Sequence, residues 1–149
     1  MQERKVKTSE LLRRLLKTAS IKHFIKRHGN SMKTVPFHTY ITCLCVEKET
    51  IPAHVIEKSG IERTYGHQLF NGRKNPSRDK VIQLAIGFGL NHDEAQLLLK
   101  MARRNPLYPR ITRDAAVIHA LHHQLPLVDL QATLTELSLP LIGEEGYNG

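Results

Sequence analysis

Five side chains between residues 63 and 71 carry the hydrogen-bonding groups that read nucleic-acid bases: Arg63, Thr64, His67, Gln68 and Asn71. A guanidinium can donate two parallel bonds to one edge of guanine, and a carboxamide can pair in the same two-point way with adenine. Their positions fall on one side of a helix, since residues one, four, five and eight apart share a face at 3.6 residues per turn. Arg73, Lys74, Arg78 and Lys80 follow closely, ahead of or inside the first turn of another helix, where side chains and backbone amides alike suit phosphate oxygens. Glu62 is a poor neighbour for phosphate unless it accepts from a cytosine amino group.

Other groupings are weaker. His119, His122 and His123 could turn two imidazoles to one helical face, but no cysteine or carboxylate pattern completes a metal site. Cys43 and Cys45 lack the partner pair of a redox or zinc motif and are expected to be buried reduced thiols. Tyr40, Tyr65 and Tyr108 read as packing residues rather than a base-stacking platform. No Ser-His-Asp, phosphate-loop or paired-carboxylate arrangement stands out. The expectation is a non-enzyme without cofactor or metal.

The elements that must position the polar face are helices. Ser9 to His28 places Leu11, Leu12, Leu15, Leu16 and Ala19 on one stripe opposite Arg13, Arg14 and Lys17, with Ile21, Phe24 and Ile25 continuing it. Pro36 opens a second helix through Phe37, Tyr40, Ile41, Leu44 and Cys45. A short helix over 52–58 and a turn over 59–62 lead to the helix over 63–70, which stops at Asn71 and Gly72. Ser77 caps the next, and Asn91 with Glu94 has the spacing of a capping box for the one after. Beyond Pro106 and Pro109, Thr112 is the expected cap of a further helix, Pro126 separates a last one, and the acidic tail after Pro140 is expected to be loose.

The stretch from Ala53 to Gly72, followed by Arg73-Lys-Asn-Pro-Ser-Arg78, resembles the helix-turn-helix of the lambda-repressor and Cro-like (XRE-type) DNA-binding family. The likeness rests on Val55 and Ile56, the turn glycine Gly60, Ile61, and the closing Leu69-Phe70-Asn71-Gly72. It covers about fifty residues, with 37–47 supplying a preceding helix. It implies an all-α, lambda-repressor-like domain with added N-terminal and C-terminal helices, which binds double-stranded DNA as a bacterial transcriptional regulator. Arg63, Thr64, His67, Gln68 and Asn71 would then face bases, and Arg73, Lys74, Arg78 and Lys80 phosphates. Packing physics points the same way: a tight turn at Gly60 allows two short helices to share one small core through Val55, Ile56, Ile61, Leu69 and Phe70. Gly66 departs from the pattern, because relatives usually place a buried aliphatic residue there; Tyr65 could rotate to fill the gap.

Charge agrees with a polyanionic partner approached from one side. The chain of 149 residues carries net +8, with ten basic and two acidic groups in residues 1–34, twelve and seven in 35–113, and none and five in 114–149. This suggests a basic N-terminal helix and linker (1–34), the helix-turn-helix domain (35–104) and a C-terminal helical extension (105–149). The extension could pack on the domain or form a homodimer interface. An adaptor that binds another protein through the same fold is the competing reading, and the basic first helix would also suit an acidic protein or a membrane surface. No apolar run is long enough to span a bilayer, and no signal-peptide core follows the N-terminus, so the expected location is the cytoplasm.

Overall fold

Gly and Pro cut the chain from Pro36 onward into helix-sized pieces, and most of its helices follow that punctuation. The computed structural model describes residues 7–22 and 35–144. Within them lie α1 (Thr8–Lys17), α2 (Phe37–Glu47), α3 (Pro52–Ser59), α4 (Arg63–Phe70), α5 (Arg78–Phe88), α6 (His92–Met101), α7 (Thr112–His122) and α8 (Leu127–Glu136), with no strand among the described residues. The chain divides into two compact units, Met1–Val35 and Pro36–Gly149.

In the first unit α1 is shorter than its leucine pattern suggests. It ends at Lys17 because Thr18 turns to extended backbone, φ −82° and ψ 142°, and its hydroxyl donates to the Ser20 carbonyl, a local bond that competes with helix continuation. No side chain of α1 is buried, and Leu12 and Leu16 are largely exposed. The expected continuation through Phe24 and Ile25 lies outside the described residues.

The second unit is organised around α5. Val81, Ile82, Leu84, Ala85 and Phe88 are all buried, so this helix is apolar nearly all round, as a central helix must be. The α3 helix lies directly on it at Gly87, where a Cβ would stand 2.0 Å from the Ser59 hydroxyl and 2.6 Å from the Val55 carbonyl oxygen. Only glycine allows that approach. Ser77 caps α5, and Asn91 and Glu94 form a reciprocal capping box on α6, both as their sequence positions suggest.

Past Pro106 the chain returns to the same core. Val117, Ala120, Leu121, Leu130 and Leu134 of α7 and α8 are buried in one cluster with α5, so the extension spends its apolar stripe within the chain, leaving Val128 and Leu137 outward. Thr112 begins α7 without capping it; Ile111 holds the cap position and gives no side-chain bond. The tail is docked, not loose, as far as Glu144. Ile142 is 3% exposed, and the Gln131 carboxamide bonds both its N–H (2.9 Å) and its carbonyl (2.8 Å). Among the described residues, no helix is long and apolar enough to cross a membrane.

Candidate nucleic-acid interface

The joint between α3 and α4 is fixed by three consecutive residues. Gly60 closes α3 in the left-handed region (φ 67°), where a side chain would be strained. Ile61 is buried, and Glu62 caps α4 by accepting from the backbone N–H groups of Thr64 (2.9 Å) and Tyr65 (2.8 Å). The bonds from Tyr65 and Thr64 hold the Glu62 carboxyl below the usual carboxylate range. Glu62 therefore belongs to the helix start, a role its sequence position did not announce.

The inward set is the expected one: Val55, Ile56, Ile61, Leu69 and Phe70 are all buried. The Phe70 ring meets Phe88 of α5 at 6.3 Å between centroids, pinning the end of α4 to the central helix. On the other side, Arg63, Thr64, His67 and Asn71 are exposed and Gln68 is half-buried. Gly66 is filled from the opposite direction to the one expected. Its missing Cβ would lie 2.6 Å from Cγ2 and 2.7 Å from Cγ1 of Ile56, so Ile56, not Tyr65, occupies the space. Tyr65 stays half-buried with the Lys80 ammonium 5.9 Å from its ring centroid, within cation–π range.

The loop after α4 is ordered by its own backbone. The Asn71 side-chain oxygen accepts from the Arg73 N–H (3.0 Å), and the Lys74 N–H donates to the Gln68 carbonyl (3.2 Å). Gly72, at φ 84°, lies against the His38 ring of α2, which a Cβ would approach to 2.7 Å. These contacts leave the Arg73 and Lys74 side chains exposed. They also commit one acceptor of the Asn71 fork to the loop, so its amide donors are what it can offer outward.

Arg78, expected among the phosphate contacts, is engaged within the chain. Its guanidinium makes paired bonds to Asp114, Nη1 to Oδ1 at 3.0 Å and Nη2 to Oδ2 at 2.8 Å, while Nε and Nη2 donate to the carbonyls of Asn105 (3.0 Å) and Pro106 (2.9 Å). Its side chain is only 11% exposed. The adjacent Asp79 is paired just as closely with Arg113, so two neighbouring residues of α5 are clamped by two neighbouring residues of α7. Asp114 lies 36 residues from Arg78, too far for local pattern to reveal.

Cys45 is buried, which pushes its thiol pKa up, whereas Cys43 is exposed, contrary to the expectation for that residue. The rings of His119 and His123 lie 4.3 Å apart and those of His122 and His123 5.0 Å apart between centroids. Among the described residues no group of three His, Cys, Asp or Glu could hold a metal ion. Comparison with family models, with curated proteins and with solved structures finds no match.

Proposed function

We propose that α3 and α4 form a helix-turn-helix of the lambda-repressor type and that the protein binds duplex DNA as a transcriptional regulator, with α4 in the major groove. Arg63, Thr64, His67, Gln68 and Asn71 face base edges, while Arg73, Lys74 and Lys80 hold the backbone. The observation that carries this reading is the two-sidedness of α4. Gly66, Leu69 and Phe70 are buried, yet Arg63, Thr64, His67 and Asn71 stand exposed, uncovered by the helices that follow. A polar face with fork-shaped donors, on a helix fixed at both ends and followed by exposed cations, has the chemistry that groove reading demands.

The test is a titration of the protein against a random duplex pool at two salt concentrations, followed by selection. Binding at low salt, with a log–log salt slope of roughly −3 or steeper from the phosphates met by Arg73, Lys74 and Lys80, is the expected result. An enriched sequence should be lost in the Arg63→Ala, Gln68→Ala double variant. No binding at low salt would overturn the reading and favour a protein-binding adaptor.

A further inference from the structure

The pairing of Arg78 with Asp114 removes one expected phosphate ligand, and the same loop that accepts its remaining bonds supplies a replacement. From Ala95 to Arg113 the sequence contains no acidic residue but five cations: Lys100, Arg103, Arg104, Arg110 and Arg113. Arg113 is buried against Asp79. Lys100, Arg103, Arg104 and Arg110 are exposed, and none has a carboxylate at ion-pair distance among the described residues.

Two features tie this cluster to α4. Arg104 Nε donates to the Pro76 carbonyl (3.0 Å), which sets its guanidinium against the end of the loop that carries Arg73 and Lys74. The backbone beside it is rigid as well. Gln96 bonds both the N–H and the carbonyl of Leu107 at 2.8 Å, Arg78 holds the carbonyls of Asn105 and Pro106, and Asp114 accepts from the Tyr108 N–H at 2.9 Å. Cations on a pre-ordered support bind an anion without the ordering cost of a mobile loop. Arg103 follows the end of α6 in the left-handed region at φ 58°, as Glu49, Gln124 and Ser138 do after their helices, a backbone that glycine adopts without strain.

We propose that Lys100, Arg103 and Arg104 form a second phosphate-contacting patch, continuous with Arg73 and Lys74, that lengthens the contact with the duplex backbone beyond the groove occupied by α4. This rests on the DNA-binding reading above. The patch binds phosphate without reading bases, so it acts alike on selected and random sequence.

The experiment compares salt slopes for wild type, the Lys100→Gln, Arg103→Gly variant, and a Lys48→Gln, Lys58→Gln variant that loses the same net charge elsewhere. Glycine suits the backbone at residue 103, so thermal stability of the first variant should be retained. The expected result is a slope shallower by about 2 for the first variant, equally on selected and random duplex, with the second variant within error of wild type. An unchanged slope in the first variant, or an equal loss in both, would overturn the patch while leaving groove binding intact. Failure of wild type to bind any duplex at low salt would instead remove the reading on which the patch depends.

Discussion

Arg113 and Asp79 face each other through two parallel hydrogen bonds, Nη1 to Oδ1 at 3.0 Å and Nη2 to Oδ2 at 2.9 Å, with both side chains almost fully buried. Arg113 also donates to the carbonyls of Pro140 (2.9 Å) and Leu141 (2.7 Å), and Asp79 accepts from the Gly143 N–H (2.8 Å). One ion pair thus joins α5, α7 and the tail. Removing one partner strands the other charge away from water, so Arg113→Ala should cost about 3–5 kcal/mol in urea unfolding. An Arg113→Met, Asp79→Leu double variant, which leaves no orphan charge, should lose much less. If the double variant is the less stable of the two, the pair is a net source of stability and the desolvation argument fails.

Arg78 and the pair Arg73 and Lys74 are all basic residues beside α4, but their surroundings separate them. Arg78 is spent on Asp114 and two carbonyls, whereas Arg73 and Lys74 project from an ordered loop. Arg78→Gln should therefore lower stability and leave the salt slope of the folded protein unchanged. Arg73→Gln with Lys74→Gln should leave stability within about 0.5 kcal/mol and reduce the slope by about 2. Slopes measured well below each variant's melting temperature decide the matter; a shallower slope for Arg78→Gln would return that residue to the phosphate set.

Glu62 makes the start of α4 sensitive to acid. Backbone N–H groups of Tyr65 and Thr64 stabilise the carboxylate, so its folded pKa lies below the ordinary value of 4.5. A depressed carboxylate contributes stability above its unfolded pKa and loses it as pH falls through the folded one. Glu62→Ala should accordingly be less stable than wild type at pH 7, with the gap closing as pH drops below 4.5. A gap that stays constant down to pH 3 would show that the side chain acts through packing, not charge.

The two thiols should differ in reactivity. Cys43 is exposed, whereas Cys45 is 4% exposed and burial raises its pKa, both of which suppress thiolate attack. A maleimide should label one equivalent in the native protein and two after denaturation, and Cys43→Ser should abolish native labelling. Labelling of Cys45 first would contradict the packing of α2.

Between Pro52 and Met101 the helices were legible because most boundaries carry a local cause, the Glu62 cap of α4 being the exception. Gly60 and Gly72 take left-handed backbone, Ser77 and Asn91 cap, and apolar spacing sets the buried side of α4. What escaped reading depends on partners distant in sequence. Arg78 is withdrawn by Asp114, Asp79 and Gln131 dock a tail whose composition looks loose, and the patch proposed for Lys100, Arg103 and Arg104 depends on Arg104 reaching Pro76. At α1 the departure is local: Thr18 takes extended backbone, with its hydroxyl bonded to the Ser20 carbonyl, where the leucine stripe would continue the helix.

Gly66 offers the sharpest check on the packing beneath the polar face. In a helix interior, alanine ordinarily stabilises by about 1 kcal/mol relative to glycine. Here the added methyl would lie 2.6–2.7 Å from two carbons of a fully packed Ile56, and overpacking of that kind costs about 1–3 kcal/mol. With two contacts this short the steric term lies toward the upper end of that range and outweighs the propensity term, so Gly66→Ala should destabilise the protein, by up to about 2 kcal/mol. Truncating Ile56 to alanine removes the three carbons nearest to that methyl, at its own cost of about 2–5 kcal/mol. In the Ile56→Ala background Gly66→Ala should therefore reverse sign and stabilise by about 0.5–1 kcal/mol. That reversal, measured in a double-mutant cycle, ties the residue beneath the exposed polar face of α4 to one neighbour in α3; additivity of the two substitutions would mean that Ile56 does not set the place of α4.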